Sequence, residues 1–197
     1  TRDRRMAGVY AGDLEKAHAK GCEDVARACS VDVSGSYDLV VTNGGGAPLD
    51  ATFYQAVKGM CMALPALGTD SRLLQVSACA EGLGSRAFAD LLYQTGHDWP
   101  RFMDDIAARP DETRVDQWEL QMLCRVLQRI GRRRLFFAGD GLPNDVLQEI
   151  AIQPLPGPGD AARRAQRLID GFVREHPGAR IAVIPEGPYT MLTRSDT

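Results

Sequence analysis

The sequence predicts a single α/β domain, with a doubly wound, mostly parallel sheet and helices on both faces. Short apolar runs typical of buried strands, such as YDLVVT at 37–42 and RIAVI at 180–184, alternate with longer segments of helical periodicity. The connections between these runs are long enough for the crossover helices that neighbouring parallel strands require. The chain of 197 residues is long enough for one complete hydrophobic core, and it contains no internal repeats.

Five strands are predicted from short runs rich in β-branched residues, leucine and phenylalanine. Most of these runs are continuously apolar rather than alternating, which indicates strands that are covered on both faces. In chain order they lie at 37–42, 73–78, 134–138, 150–153 and 180–184.

Seven helices are predicted from apolar stripes with a period near 3.6 residues. Asp13 and Asp50 are suitable N-caps for the first two helices, and Pro110 ends the fourth. The fifth has a strong stripe that includes Val115 and Trp118, and basic residues follow its end, where cations are favoured. The helices lie at 13–28, 50–64, 85–94, 99–109, 115–130, 143–149 and 160–173.

Composition and charge narrow the class of protein. A formal net charge of -3 gives no electrostatic reason to expect nucleic acid. No apolar run is long enough for a transmembrane helix, and no signal peptide is visible. The five cysteines, an odd number without a CxxC motif, indicate buried reduced thiols in a cytoplasmic protein. The chain begins with Thr1 rather than methionine, so we expect a piece of a longer protein.

A glycine-rich turn connects the first strand to the second helix. Asn43, Gly44 and Gly45 belong to its sequence NGGG, which permits positive φ angles and the close approach of a ligand. Free N–H groups at the following helix start attract anions. Gln55 and Lys58 are three residues apart on that helix, away from its apolar stripe, so their side chains are neighbours. Two interpretations stay open: a site for a carboxylate or phosphate, or a tight turn followed by a solvated helix face.

A second glycine motif follows the second strand. Gly82, Gly84 and Ala87 have the spacing G-x-G-x-x-A of a dinucleotide-binding turn, but no acidic residue ends a following strand, as that fingerprint requires. A plain tight turn between strand and helix is the alternative. Glu81 lies at the same predicted sheet edge and is a candidate for lining a ligand cleft.

No complete catalytic set is recognisable from the residues themselves. His18, His97 and His176 are scattered and lack the spacing of metal ligands. No G-x-S-x-G motif, P-loop or cysteine–histidine dyad is apparent. Trp118 lies at the margin of its helix stripe, where its indole either packs into the core or points into a cleft.

Several segments, in the same order along the chain, carry a family resemblance. YQAVKGM at 54–60 is the most specific piece, and YAGDLEKAHAKGCEDV at 10–25 resembles the segment leading into the domain. Together the segments resemble the C-terminal domain of the nickel-dependent lactate racemase family, over nearly the whole chain. The main segments are YDLVVTNGGGAPLDATFYQAVKGM, EGLGSRAF, DQWELQMLCRVL and IAVIPEGPYTML.

The resemblance implies a function. Family members are two-domain α/β proteins that hold a nickel-pincer nucleotide between the domains and racemise or epimerise 2-hydroxy acids by hydride abstraction and return. Gln55, Lys58 and Trp118 match family positions that bind the substrate in the cleft, and Tyr54 is their neighbour. The catalytic histidines, the cofactor-tethering lysine and the nickel-binding histidine belong to the family's N-terminal domain, and their motifs are absent here.

These implications give the expected organisation. We expect a helical lead-in at 1–30 and the substrate-side domain at 31–197, without catalytic residues, metal ligands or bound cofactor, and inactive alone. The expected partners are a small anionic 2-hydroxy acid and the missing N-terminal domain, but no nucleic acid or membrane. Two alternatives stay open: a stand-alone module that binds anions or nucleotides, and an oxidoreductase domain that works through the Gly82 turn.

Overall fold

The computed structural model describes residues 5–194. Helices connect the strands of this part of the chain as predicted, and three consecutive helices lie between the third and fourth strands. The helices are α1 (Leu14–Cys29), α2 (Phe53–Met62), α3 (Arg86–Thr95), α4 (Trp99–Ala108), α5 (Gln117–Ile130), α6 (Asn144–Glu149) and α7 (Ala161–Glu175). The strands are β1 (Ser30–Val33), β2 (Tyr37–Asn43), β3 (Leu67–Val76), β4 (Leu135–Ala138), β5 (Gln153–Pro154), β6 (Ile181–Ile184) and β7 (Met191–Arg194).

A five-stranded sheet forms the centre of the domain. Its strands lie in the order β5–β4–β3–β2–β6, and every neighbouring pair is parallel. On β2, which lies between β3 and β6, Val41 lies opposite Leu74 of β3 and Val183 of β6. The predicted α/β fold with a parallel sheet is confirmed.

Helices cover both faces of this sheet, but unequally. On one face, α2 to α6 enclose the larger core, in which Phe53 and Leu123 are fully buried. On the other face, α7 packs over a smaller core that contains Leu74 and Phe172. Each large apolar side chain that is buried contributes roughly 1.5–3 kcal/mol. Most of the apolar stabilisation therefore lies on the face of α2 and α5.

A separate two-stranded sheet was missed by the sequence prediction. β1 and β7 pair in parallel, with Val31 opposite Leu192. Both strands have only four residues, are partly polar and are mostly exposed. Since they come from opposite ends of the described chain, their pairing depends on the tertiary fold and leaves no local pattern.

Some element boundaries differ from the prediction. β3 begins at Leu67 rather than at 73, because its polar first half pairs with β2 beyond the apolar run. α5 begins at Gln117, and Val115 lies outside it and is 72% exposed, so its assignment to the apolar stripe was wrong. The cause is Asp116, whose φ of 61° departs from the helical conformation.

The first helix stands apart from the core. α1 begins at the predicted cap, where the Asp13 carboxylate accepts a hydrogen bond from the Lys16 N–H at 3.1 Å, yet none of its residues is buried. Cys22 is exposed and Cys29 half-buried, so the prediction of buried thiols was wrong for them, but it holds for Cys61, Cys79 and Cys124. Among the helices of residues 5–194, none has the length and apolar character of a membrane span.

Candidate functional site

Two helices bring their first turns to the carboxyl edge of the sheet, where ligands bind in parallel α/β folds. α2 leaves the end of β2 at this edge. α5 leads back to the start of β4, so it also begins at this edge. The two helices pack against each other on the same face of the sheet. Side chains from their first turns therefore meet near the strand ends.

A group of five side chains at this place, which we name the Lys58 cluster, comprises Tyr54, Gln55 and Lys58 on α2 and Trp118 and Glu119 on α5. Lys58 Nζ lies 5.7 Å from the centre of the Tyr54 ring and 5.9 Å from the centre of the Trp118 ring. The two rings meet edge to face with 5.9 Å between their centres. The structure thus brings the predicted residues Lys58 and Trp118 together, while Gln55 lies three residues earlier on the same helix face.

The Lys58 ammonium is held by aromatic rings rather than by an acid. Within residues 5–194 it takes part in no ion pair or hydrogen bond. Trp118 is 46% exposed, which excludes the interpretation of a core tryptophan. Its indole and the half-buried ammonium therefore form a surface that combines a positive charge with aromatic area, and both attract small organic anions.

Buried polar atoms of the cluster also lack partners. The Oε1 atom of Gln55 and both carboxyl oxygens of Glu119 are buried without a hydrogen bond from the described residues. An unpaired buried polar group destabilises a folded protein by roughly 1–3 kcal/mol, and such groups are rare in native structures. The Gln55 amide oxygen and the Glu119 carboxyl are two such groups within one small cluster. This indicates that the polar groups of the cluster have a role other than stabilising the fold.

Burial and neighbouring charges set the protonation of Glu119. Its side chain is fully buried, and this burial raises the pKa of its carboxyl group to about 7, although the positive charge of Lys58 opposes the shift. The pKa of Tyr54 is raised too, first by burial and then by the negative charges of Glu119 and Asp116. The cluster therefore contains an acid that changes charge near neutral pH.

The start of α2 does not offer the free N–H groups that the sequence predicted for an anion. The N–H of Phe53 donates to the Gly82 carbonyl at 2.9 Å, and the N–H of Tyr54 donates to the Leu83 carbonyl at 3.0 Å. Asp50, predicted as the cap of this helix, lies in a buried turn instead. The loop after β3 thus caps α2, and this helix start carries no anion site.

The glycine turn at 43–46 is also used internally. Asn43 Oδ1 accepts hydrogen bonds from the N–H groups of Gly45 and Gly187, and its Nδ2 donates to the Pro185 carbonyl. Gly44 is needed because a Cβ there would lie 2.6 Å from Ser77 Oγ. Asn43 therefore locks the end of β2 to the segment after β6, and it also lines a cleft of the sheet edge that is described below. The contribution of Asn43, Gly44 and Gly45 to a ligand site stays a prediction.

The second glycine motif is a tight turn as well. Gly82 and Gly84 have φ angles of 78° and 117°, which L-residues rarely adopt. A Cβ on Gly84 would lie 2.9 Å from Tyr54 Cβ, so this glycine lets the loop press against α2. The carbonyls at 82 and 83 cap that helix, and the N–H groups of Glu81 and Gly82 donate to the carbonyls of Ala51 and Cys79, so this turn uses its backbone groups internally. Glu81 is exposed in the same loop, and no recorded contact joins its side chain to Lys58.

A separate cleft of about 710 Å³ lies at the same sheet edge, between the glycine turn, the ends of β3 and β4 and the start of α7, and Asn43 and Gly46 of the turn line it. Its acidic groups are already paired. Asp50 accepts a hydrogen bond from the Ala78 N–H, and Asp140 forms an ion pair of 2.7 Å with Arg164. Arg164 and the Ala161 N–H hold the pKa of Asp140 below its usual range. Asp140 thus maintains the start of α7, and Asp50 maintains the loop after β3.

Residues 5–194 contain no group of three histidine, cysteine, aspartate or glutamate side chains placed to hold a metal ion. His18, His97 and His176 are exposed and belong to three different parts of the chain, on α1, after α3 and after α7. His97 is engaged by the Gln148 carbonyl and by Arg132. This part of the chain therefore does not fit as the holder of a nickel centre.

Glu119 is the member of the cluster that sequence reasoning missed. The spacing of Asp116 and Glu119 is that of a capping box, in which the acid folds back to the start of its own helix. Instead Asp116 has positive φ and accepts a hydrogen bond from Ser85, the cap of α3. No local signal distinguishes these two outcomes.

Comparison with known proteins places the chain in a family. A family model described as the lactate racemase C-terminal domain matches residues 33–191. The lactate racemase of Thermoanaerobacterium thermosaccharolyticum is 31% identical over 93% of this chain, and that of Lactiplantibacillus plantarum is 30% identical over 94%.

The structural comparison agrees. The lactate racemase apoprotein from Thermoanaerobacterium thermosaccharolyticum superposes with a TM-score of 0.76 at 30% identity, over 92% of this chain. This chain spans 41% of the length of each of these relatives. The resemblance seen in the residues is confirmed, and the chain belongs to the family of lactate racemase C-terminal domains.

Proposed function

We propose that this chain is the substrate-side part of a racemase that acts on a 2-hydroxy acid such as lactate. Its family membership supports the reaction class, and its share of the relatives' length supports a further N-terminal domain. In this proposal residues 1–30 lead into the substrate-side domain at 31–197. The free state of all five cysteines supports a cytoplasmic protein.

The observation that carries the proposal is the unpaired ammonium of Lys58 at the carboxyl edge of the sheet. A substrate carboxylate next to this ammonium would accept a charge-assisted hydrogen bond, which is stronger than one between neutral groups. The unpartnered Oε1 atom of Gln55 can accept a hydrogen bond from the 2-hydroxyl group, and the indole N–H of the exposed Trp118 can donate one to the carboxylate. Tyr54 supports the ammonium from the side through its ring.

Racemisation requires the C2–H bond of the substrate to break and form again on the opposite face. The family resemblance assigns this hydride transfer to a nickel-pincer nucleotide on the N-terminal domain, and the described residues show no place for the metal. The contribution of this chain is then to bind and orient the acid. Fixing a reactant in its reactive geometry can supply several kcal/mol of the barrier reduction.

Two experiments test this proposal. The first is the coding sequence upstream of Thr1, which should encode a domain with paired histidines and a lysine. If no such domain precedes the chain, the stand-alone binding module is the better interpretation. The second is the racemisation of L-lactate by the full-length protein carrying Lys58→Ala, where kcat/KM should fall about a hundredfold. Lys16→Ala, on the exposed helix α1, is the control and should change nothing; an unchanged Lys58→Ala enzyme contradicts the proposal.

A further inference from the structure

Glu119 is an unusual acid within the described chain. Its side chain is fully buried, and neither of its carboxyl oxygens has a hydrogen-bond partner within residues 5–194. Other acids near helix starts in this chain are engaged, as Asp13 and Asp160 are by the N–H groups they cap. A buried acid without a partner is retained against its cost in stability, which points to a role in the neighbouring site.

The charges that act on this carboxyl come from α2 and from the start of α5, although α3, α4 and β3 also pack against α5. Lys58 on α2 contributes a positive charge, and Asp116 before α5 contributes a negative one. Tyr54 and Cys61, also on α2, respond to the charge of Glu119. The Lys58 ammonium lies against the exposed Trp118 ring, whereas the Glu119 carboxyl that interacts with its charge is fully buried, so a ligand can approach the ammonium without meeting the acid directly.

We propose that Glu119 is a positioning residue of the Lys58 cluster, whose buried carboxyl group controls how much of the Lys58 charge is available to an anionic substrate; this rests on the function proposed above. When the acid is ionised, it neutralises the ammonium and repels the incoming carboxylate. When it is protonated, Lys58 is the unopposed charge of the cluster. Binding of the anion therefore favours the protonated form, and substrate affinity falls as Glu119 ionises.

The test is the pH dependence of L-lactate binding. The chain is titrated with L-lactate at pH 6 and pH 8, and the indole N–H signal of Trp118 is followed by NMR after assignment with Trp118→Phe. The variant is Glu119→Gln, a neutral isostere, and Glu119→Met provides a second neutral side chain in case the amide perturbs folding. Glu112→Gln, which removes an exposed acid paired with Arg109, is the matched control.

We expect lactate to bind the unmodified chain about tenfold more weakly at pH 8 than at pH 6. The Glu119→Gln chain should bind equally at both values, with the affinity of the unmodified chain at pH 6. Glu112→Gln should behave like the unmodified chain. A tenfold pH effect that survives in Glu119→Gln, or no pH effect in the unmodified chain, overturns the role of Glu119.

Failure of the proposed function gives a different result. If lactate binds to none of the chains at either pH, the substrate-side function is wrong. The Trp118 signal without ligand then decides the role of Glu119 alone. A shift between pH 6 and 8 that is lost in Glu119→Gln supports the coupling within the cluster, and the same shift in both chains, or in neither, refutes it.

Discussion

The glycine turn and the Lys58 cluster belong to the same β2–α2 unit, but they treat polar groups in opposite ways. In the turn, Asn43 engages three backbone groups, and the first N–H groups of α2 are capped by loop carbonyls. In the cluster, Gln55 Oε1 and the Glu119 carboxyl have no partner within residues 5–194, and Lys58 has only rings. Satisfied polar groups maintain the fold, whereas buried unsatisfied ones destabilise it and indicate that the cluster has another role. Changes in the turn should therefore affect stability, and changes in the cluster should affect binding.

The largest effect is expected from Gly59→Ala. A Cβ at this position on α2 would collide with the Asn43 carbonyl oxygen, a backbone atom that cannot move aside. We expect a loss of at least ~3 kcal/mol in the free energy of unfolding, measured by urea denaturation. Gly171→Ala is the control, since a Cβ on this α7 glycine would meet nothing closer than 3.9 Å. If both variants are equally stable, the close approach of α2 to the turn is wrong.

The next effect concerns pH and Glu119. Burial raises the pKa of this acid from 4.5 to about 7, so between these values the unfolded chain releases the proton that the folded chain keeps. The contribution to the free energy of unfolding is complete below pH 4.5 and declines by about 3 kcal/mol as the pH rises to 7. Glu119→Gln lacks this decline, so its stability relative to the unmodified chain should increase across this window. Thermal unfolding of both chains from pH 4.5 to 8 measures this difference in stability. A difference that does not change with pH would refute the raised pKa of Glu119.

Asn43→Ala should destabilise the glycine turn less than Gly59→Ala does. The substitution removes one donor and one acceptor that together serve Pro185, Gly45 and Gly187. We expect a loss of about 2 kcal/mol in the free energy of unfolding, with unchanged lactate affinity once folded. Calorimetric titration of the folded variant checks the second part, and a loss of affinity without a loss of stability would return Asn43 to the ligand site.

Trp118→Phe changes the Lys58 cluster rather than the glycine turn, and it should have the smallest effect on the free energy of unfolding. The ring remains large enough to contact Tyr54, but the indole N–H is lost. Since the side chain is 46% exposed, we expect a change in the free energy of unfolding below about 0.5 kcal/mol. Lactate affinity should fall roughly fivefold, the value of one hydrogen bond. A destabilised variant with full affinity would show that Trp118 serves packing alone.

The sequence predicted the elements with strong periodicity and missed those fixed by distant contacts. The central strands and long helices follow from apolar runs and stripes. The β1–β7 pair joins opposite ends of the described chain, and the exposure of Val115 depends on the positive φ of the residue after it. Such features are decided by tertiary packing, which local propensity does not contain.

The site was predictable only in part. The resemblance proposed Gln55, Lys58 and Trp118, and the structure shows Lys58 against the Trp118 ring. The sequence left two interpretations of the glycine turn open, because glycines required for close packing look the same in sequence as glycines that admit a ligand. The structure shows only that the first N–H groups of α2 are already engaged. Glu119 was missed because burial of an acid at a helix start is set by the facing helix α2.

The most direct test of the central claim is the affinity of the Lys58→Ala chain for L-lactate. Binding is followed through the Trp118 indole signal at pH 6, beside the unmodified chain and the Lys16→Ala control. The account predicts a dissociation constant at least about tenfold higher in Lys58→Ala, with the free energy of unfolding within about 1 kcal/mol of the unmodified chain. Equal affinity in all three chains would contradict the claim that the Lys58 ammonium binds the substrate.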